Sequence, residues 1–345
     1  MARTTLHYLM PPSAGRTRLV VALAAVACLA LAGCNDEATE TAAEESPGEQ
    51  AVADPMTLSG QWPLTGLPAD GEAPEHPVMV VKIDNSDASF PQMGLGKADL
   101  VTEELVEGGT TRLAVFFYSQ LPDVAGPVRS MRATDIGIVQ PADAVLVASG
   151  GAPPTVRRVV DAKIETFVEG AKGYFREESR VAPYNLMIKL PELAASLKPP
   201  EPPADYLPWG TEEDFPRGRP AKRVSAVFSE NHTTTWRFGR DSYSNPNSNA
   251  PASDQFKPAT VLVLRVEVGD AGYLDPAGYP VPETKFTGSG AAMVFHQGRV
   301  VRGTWKKDGL DGELSLRTQV GELPIPPGKV WIELVPADGG NVTIG

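Results

Sequence analysis

Val78-Met-Val-Val-Lys-Ile83 is the stretch from which the fold is predicted. It is an apolar run in which Lys82 is the one charged residue. Such runs are typical of strands buried on both faces. Residues 113–118 and 144–148 form two further runs of this kind. Between such runs lie weaker helical patterns at residues 133–139, 155–162 and 191–197. This alternation predicts a mixed α/β sheet in a domain spanning residues 71–205.

The following part of the chain has a different pattern. Residues 206–222 are rich in proline, which removes backbone donors and fixes φ, so we interpret them as a linker that Tyr206 and Trp209 pin to a domain. After it come short runs with strand-like alternation at residues 224–228, 234–238, 260–266, 291–295, 300–305 and 330–335. These runs predict a smaller β-rich domain at residues 223–345, and hence an α+β chain.

The N-terminus has the layout of an export signal. Arg3, Arg16 and Arg18 precede an uncharged run of 14 apolar residues, 19–32, which is shorter than the roughly 20 residues of a membrane-spanning helix. The run ends in Leu31-Ala-Gly-Cys34, which resembles the bacterial lipobox. We therefore predict a signal peptide at residues 1–33 and a lipid on Cys34 that holds the chain to the outer face of the cytoplasmic membrane. The alternative is an ordinary thiol behind an ordinary cleavage site.

Acidic residues dominate the chain from Cys34 onward. Residues 34–70 are predicted to be a disordered tether, most clearly at 35–55, where basic residues are absent and almost nothing is apolar beyond alanine. From Cys34 the chain has 28 lysines and arginines against 43 aspartates and glutamates, a formal charge of −15. This balance argues against nucleic acid as a partner, because phosphate binding needs a cationic surface.

Two polar segments of the N-terminal half are candidates for chemistry. In residues 98–112, Glu103 and Glu107 are expected to share a face, and Gly108-Gly109 allows Arg112 to turn back toward Glu107. Two such carboxylates can bind a cation, serve as acid and base, or face water. A ligand site and a structural ion pair are both consistent with the sequence.

The second segment, residues 125–135, contains a Gly-Pro turn followed by Ser130, which is predicted to cap a helix beginning near Met131. Arg129 and Arg132 would then flank the positive end of that helix and could bind an anion. In the alternative interpretation, these arginines pair with the acids of the first segment, Glu103, Glu107 or Asp99, and stabilise the fold.

These motifs resemble the YerB family of bacterial lipoproteins. The resemblance rests on Val80-Val-Lys-Ile-Asp-Asn85, Phe90-Pro-Gln-Met-Gly-Leu95, the segment 98–112, and Gly126-Pro-Val-Arg-Ser-Met-Arg132. It continues through Ser149-Gly-Gly151 and Arg180 to Pro183-Tyr-Asn185, and more thinly to the strand at Trp331. It implies a two-domain α/β lipoprotein and assigns no biochemical activity.

The chain departs from the family pattern at three positions. Thr102 stands where an aromatic residue is common, and Ala152 replaces a small hydroxyl residue after the Gly-Gly pair. Ala252 stands where a histidine is expected. A function that depends on that histidine is therefore in doubt for this chain.

Covalent catalysis and cofactor chemistry find little support in the sequence. Three histidines follow Cys34, at His76, His232 and His296, and each is interpreted as a surface or satisfied residue. The exported part contains neither a G-x-S-x-G nor an S-x-x-K motif. No cofactor and no metal site are predicted.

Two functions of different classes stay open. The first is a non-catalytic module of the cell envelope that binds a polar cell-wall component or an envelope protein. The second is a glycan hydrolase that uses Glu103 and Glu107, or one of them with Asp99, as its carboxylate pair. The candidate binding residues are Asn85, Gln92, Asp99, Glu103, Glu107, Arg112, Arg129, Arg132 and Asn185.

Overall fold

A computed structural model describes Leu58 and residues 60–69, 71–276 and 278–345. The described residues form three α-helices, α1 (Asp135–Val139), α2 (Pro153–Asp161) and α3 (Leu190–Ala194). The strands of the first half are β1 (Met79–Asp84), β2 (Leu100–Leu105), β3 (Thr111–Phe117), β4 (Val145–Val147), β5 (Thr166–Phe167), β6 (Tyr174–Arg176) and β7 (Leu186–Ile188).

The second half contributes most of the strands. They are β8 (Arg219–Pro220), β9 (Arg223–Val227), β10 (Thr233–Gly239), β11 (Ser242–Ser244), β12 (Thr260–Leu274), β13 (Pro280–Lys285), β14 (Gly288–His296), β15 (Arg299–Lys307), β16 (Leu314–Thr318), β17 (Gly321–Glu322), β18 (Val330–Pro336) and β19 (Asn341–Ile344). The chain is therefore mostly sheet, and it is more β-rich than a balanced α+β protein, whereas the sequence predicted an α+β chain with a mixed α/β first domain and a smaller β-rich second one.

One large sheet runs through both halves of the chain. Its order is β17-β16-β15-β14-β12-β18-β2-β3-β1-β4-β5, with β13 on β12 and β8 on β15. The two halves meet where β18 pairs in parallel with β2, so that Glu333 lies opposite Glu103. A smaller sheet, β11-β10-β9-β19, and the hairpin β6-β7 complete the strands.

β1, β2, β4, β5, β12 and β18 of the large sheet point the same way. β1 is parallel to β4, β4 is parallel to β5, and β2 and β12 are both parallel to β18. Since β3 is antiparallel to both β1 and β2, these six strands share one direction. Their carboxyl ends therefore form one edge of the sheet, which we call the carboxyl edge. It contains the ends of β1, β2, β4 and β18.

A hydrophobic core lies on each face of the large sheet, because side chains alternate along a strand. On one face, Val80 and Phe116 pack with α1 and α2. On the other, Val81 and Trp331 pack with residues of the small sheet, including Trp236. The small sheet therefore covers the second face beside the carboxyl edge.

The predicted tether is wrong at its C-terminal end. Leu58 and Leu64 are buried in the first core, and Trp62 contacts the Tyr118 ring edge-on at 5.9 Å between centroids. The carbonyl of Pro63 accepts hydrogen bonds from the Tyr206 N–H and the Trp209 indole. Residues 60–69 thus carry enough apolar surface to be packed onto the body. The residues most clearly predicted as tether, 35–55, lie outside the described residues.

The proline-rich segment is also attached to the body. Tyr206 is buried, packs on Phe116 at 5.0 Å, and donates its hydroxyl to the Ile138 carbonyl. Trp209 packs against Gly66, where a Cβ atom would lie 2.7 Å from the indole ring. This confirms the prediction that Tyr206 and Trp209 pin the segment.

Candidate functional site

Charged side chains lie in register across the carboxyl edge. Asp84 on β1 lies opposite Arg112 on β3 in the strand register, and Arg112 lies opposite Glu104 on β2. Residues in one such row lie on the same face of the sheet. In open α/β sheets with parallel strands, ligands usually bind in a crevice at the carboxyl ends of those strands.

Three guanidinium groups converge on this row, and we call Arg112, Arg129 and Arg132 the arginine cluster. Arg129 pairs with Asp84 at 2.9 Å. Arg132 donates hydrogen bonds from two nitrogens to the Glu107 carboxylate, one of them from Nε to Oε2 at 3.1 Å. Arg112 instead donates to the Ser130 carbonyl at 2.9 Å. The cluster therefore has three cations and two paired carboxylates.

Arg112 is the member of the cluster whose positive charge is least favourably placed. Burial lowers its pKa to about 10, and repulsion from Arg132 and Arg129 adds to this, while Glu107 and Asp84 oppose it. Its Nε atom is buried without a hydrogen-bond partner among the described residues. Buried donors normally have partners, so this guanidinium retains capacity for another acceptor.

A glycine turn borders the arginine cluster. Ser149 follows β4, and its Oγ lies 3.3 Å from the Oγ of Ser130. Gly150 has φ +125°, and a Cβ at that position would meet nothing within 4 Å, so the turn is open on that side. On another side, the guanidinium of Arg129 lies 5.1 Å from the ring centre of Tyr184, a cation–π contact.

The opposite face of β2 carries a buried glutamate pair, Glu103 and Glu333. Both side chains are fully buried, and Trp236 donates its indole N–H to Glu333 at 2.6 Å. Burial, and then the charge of Glu103, raise the pKa of Glu333 well above its usual value. Ionisation of one of these two neighbouring carboxyl groups disfavours ionisation of the other, and the pKa is raised at Glu333 and lowered at Glu103.

His232, on the turn before β10, covers Glu103. Its Nε2 lies 2.8 Å from Oε1 of Glu103, whose other partners include the hydroxyls of Thr111 and Thr234. Burial alone would raise the pKa of Glu103, but the hydrogen bond and charge of His232, together with the hydrogen bonds from Thr111 and Glu333, lower that pKa. Conversely, burial would lower the pKa of His232, but Glu103 raises it. This pair links the small sheet to the large one.

A third group, the buried lysine site, lies behind the arginine cluster. Lys82 contacts Glu104 at 2.6 Å and Asp135 at 2.7 Å, and all three side chains are fully buried. Burial raises the pKa of Glu104, the charge of Lys82 opposes that, and Asp135 raises it further. The carboxylate of Asp135 also accepts the N–H of Arg132, so this site positions the arginine cluster.

Comparison with known proteins identifies the family. Residues 64–201 match "Protein of unknown function (DUF3048) N-terminal domain", and residues 224–332 match its C-terminal domain. The chain is 25% identical over 299 residues to the Bacillus subtilis (strain 168) protein named "Putative lipoprotein YerB", covering 82% of this chain and 88% of that protein. The chain belongs to the DUF3048 family.

The crystal structure of YerB from Bacillus subtilis has the same fold. It matches with a TM-score of 0.68 at 22% identity, over 82% of this chain and 99% of the YerB chain. The arginine cluster and the buried lysine site lie within the N-terminal match, and His232 lies within the C-terminal one. Within the residues that the structure describes, no helix is long and apolar enough to cross a membrane. Cys34 lies outside the described residues.

Most of the predicted site residues come together in the DUF3048 structure. Asn85 donates to Glu103 at 3.0 Å and to Thr111 at 2.9 Å, and Gln92 donates to the Asp84 carbonyl at 2.7 Å and to Asn85. These two side chains thus connect the buried glutamate pair to the end of β1.

Two predicted residues lie elsewhere. Asp99 precedes β2, at the opposite end of the strand from the carboxyl edge, and accepts the N–H groups of Tyr118 and Ser119. Its pKa is raised by burial despite these bonds. Asn185 accepts from Arg176 at 2.7 Å on the β6-β7 hairpin.

Two local predictions are wrong. Glu103 and Glu107 do not share a face, because β2 ends at Leu105 and Glu107 lies in a 3₁₀ turn facing Arg132. Ser130 does not cap a helix, because α1 begins at Asp135. The interpretation that the arginines pair with acids is confirmed for Arg132 and Glu107, whereas Arg129 pairs with Asp84.

Sequence reasoning missed the buried partners, which are Lys82, Asp84, Glu104, Asp135 and Glu333. Lys82 could have been found, because it is the one charge in the otherwise apolar run 78–83, and a buried lysine needs a carboxylate partner. His232 was interpreted as a satisfied residue, and its contact with Glu103 is of that kind.

Proposed function

We propose that this chain is an extracytoplasmic lipoprotein, held to the membrane by a lipid on Cys34. The proposal is supported by the signal layout of residues 1–33, by the Leu31-Ala-Gly-Cys34 motif, and by the name of the Bacillus relative. The lipid fixes the compartment in which the folded body finds its ligand.

We further propose that the folded body is a non-catalytic module that binds a polar component of the cell wall. The observation that carries this proposal is the arginine cluster at the carboxyl edge, where Arg112 contacts no carboxylate within the part of the chain that the structure describes. Guanidinium groups recognise oxygen-rich ligands by paired, charge-assisted hydrogen bonds. A polar wall component supplies such acceptors.

The hydrolase alternative loses its support. A glycosidase needs two carboxyl groups that open onto one cleft. Glu103 is fully buried beneath His232, Glu107 is held by Arg132, and Asp99 is buried at the other end of β2. These three carboxylates therefore have separate partners and do not form such a pair.

Retention on purified cell-wall sacculi tests the binding proposal. Wild-type protein should sediment with sacculi, and Arg129→Ala should weaken this binding by about tenfold or more, because a charge-assisted hydrogen bond contributes about 1.5–3 kcal/mol. Arg237→Ala is the matched control, since Arg237 is exposed on β10. Equal retention of folded Arg129→Ala and wild type would contradict the assignment of the site.

Metabolic labelling tests the anchor. A clickable fatty acid should label the wild-type chain in cells and should not label Cys34→Ala, because the thiol is the acylated group. The Cys34→Ala protein should also leave the membrane fraction. An unlabelled full-length wild-type chain in the cytosol would contradict the anchor.

A second candidate, binding of an envelope protein, is favoured by an exposed apolar groove of about 600 Å³ next to Tyr184. Phe90 is 62% exposed and Val181 is 80% exposed, and clustered exposed apolar side chains commonly mark protein interfaces. A photo-crosslinker at Val181 in intact cells should then capture one protein reproducibly. Capture of wall glycan alone would favour the first function.

A further inference from the structure

The donors of the arginine cluster indicate a narrower class of ligand than polar wall components in general. Resting on the proposed function, we propose that the arginine cluster, with Ser130 and the turn at residues 149–151, binds a phosphodiester group of the wall ligand. Four observations support this: the unpaired charge, the graded exposure of the arginines, the hydroxyl pair and the free amides of the turn.

The arginine cluster contains one guanidinium with no carboxylate contact among the described residues. Asp84 and Glu107 each occupy one arginine, at Arg129 and Arg132. The third guanidinium, Arg112, is 7% exposed and has only the Ser130 carbonyl as its hydrogen-bond acceptor among the described residues. Its buried Nε has none. An oxyanion would relieve the repulsion among the three cations.

The arginine cluster is accessible to an anion from solvent on one side. The side chain of Arg129 is 19% exposed and that of Arg132 is 9% exposed, so Arg129 forms the outer side of the cluster. Its pairing with Asp84 uses Nη1. Its guanidinium carbon lies 5.1 Å from the ring centre of Tyr184, a cation–π contact that holds the group beside the ring.

The turn after β4 adds neutral donors. The hydroxyls of Ser130 and Ser149 lie 3.3 Å apart and are both partly exposed. The N–H groups of Gly150 and Gly151 donate to no acceptor among the described residues. The Ser149 N–H donates to the Arg129 carbonyl, and the Met131 N–H to that of Gly150, so the turn is fixed against the cluster.

This donor set suits a tetrahedral anion better than a planar one. A carboxylate has two oxygens in one plane and is satisfied by a single guanidinium. Arginines, hydroxyls and main-chain amides grouped around a glycine turn are the donors that phosphate sites use. A phosphodiester has the oxygens to engage donors from β3, from residues 129–132 and from the turn at once.

Titration with inorganic phosphate tests the donor set directly. Saturable binding to the wild-type protein should be detected by calorimetry, and acetate should bind at least tenfold more weakly. Ser149→Ala should weaken phosphate binding several-fold and Arg129→Ala about tenfold or more, with Arg237→Ala unchanged. Among the residues that the structure describes, the Ser149 hydroxyl has one hydrogen-bond partner, so its variant keeps the test valid if Arg129→Ala fails to fold. No saturable phosphate binding, or equal binding by wild type and folded Ser149→Ala, would overturn the inference.

Sacculi treated with hydrofluoric acid, which removes phosphodiester-linked polymers, test the source of the phosphate. Retention on untreated sacculi should fall at least tenfold after treatment. Undiminished retention would overturn the phosphodiester inference and leave the wall-binding function standing. Absence of retention on untreated sacculi would instead contradict the wall-binding function itself.

Discussion

Lys82→Met is expected to destabilise the protein by about 3–5 kcal/mol, because it leaves two carboxylates buried without their cation. Glu104 and Asp135 are both fully buried and lie 2.6 and 2.7 Å from Lys82. Methionine fills much of the same volume, so the loss reflects charge more than a cavity. Urea unfolding at pH 7 measures the change.

The pH dependence of this variant separates charge from packing. Glu104 has a raised pKa even beside Lys82, and loss of the lysine raises it further. A carboxyl group with a raised folded pKa stabilises the protein at low pH, and this stabilisation is lost as the pH rises through that value. The loss of unfolding free energy in Lys82→Met, relative to wild type, should therefore be smaller at pH 5 than at pH 7.5.

Lys189→Met is the matched control for Lys82. Lys189 pairs with Glu192 at 3.1 Å, but both side chains are about half exposed. Such pairs contribute little, so a change within about 0.5 kcal/mol is expected. A similarly small change for Lys82→Met would contradict the buried lysine site.

His232→Gln is expected to cost about 3 kcal/mol at pH 5.5, because it removes the cation from fully buried Glu103. The pKa of His232 is raised above 6.5, so its stabilisation is complete below that pH and is lost as the pH rises through the folded value. The pKa of Glu103 is lowered below 4.5, so the stabilisation that ionised Glu103 contributes is present above pH 4.5. The pair stabilises most between about pH 4.5 and 6.5.

The difference between wild type and His232→Gln should thus shrink as the pH rises beyond this window. Asp87 also raises the pKa of His232, while Glu333 is common to both proteins. His76→Gln is the control, since His76 contacts the Pro77 carbonyl and the Tyr118 ring and has no carboxylate partner among the described residues. A difference for His232→Gln that stays constant from pH 5.5 to 8.5 would contradict the ion pair.

Strands with apolar runs could be predicted from the sequence because they are buried on both faces. Residues 78–83, 144–148 and 330–335 correspond to β1, β4 and β18. β2 was not recognised, since Glu103 and Glu104 resemble a solvated segment. They face opposite sides of the sheet, where Glu104 contacts Lys82, 22 positions away in the sequence, and Glu103 contacts His232, 129 positions away.

The candidate site could be predicted in part. Arg112, Arg129 and Arg132 stood out because they occur beside glycines, where the backbone can turn. Their partners could not be assigned, because pairing of β18 with β2 joins residues 230 positions apart, as Glu103 and Glu333 show. Local patterns carry no information on such registers. The chain reversal at Gly108-Gly109 was expected, but it brings Glu107 to Arg132 and leaves Arg112 to Ser130.

Photo-crosslinking in intact cells tests most directly the claim that the carboxyl edge binds a wall component outside the membrane. A crosslinker at Ser149 lies at the arginine cluster, and one at Val320, which is 93% exposed, serves as the control position. Mass spectrometry should find wall glycan or its attached polymer on the Ser149 variant and much less on the Val320 variant. Adducts with cytosolic proteins, or the same adducts from both positions, would contradict the account.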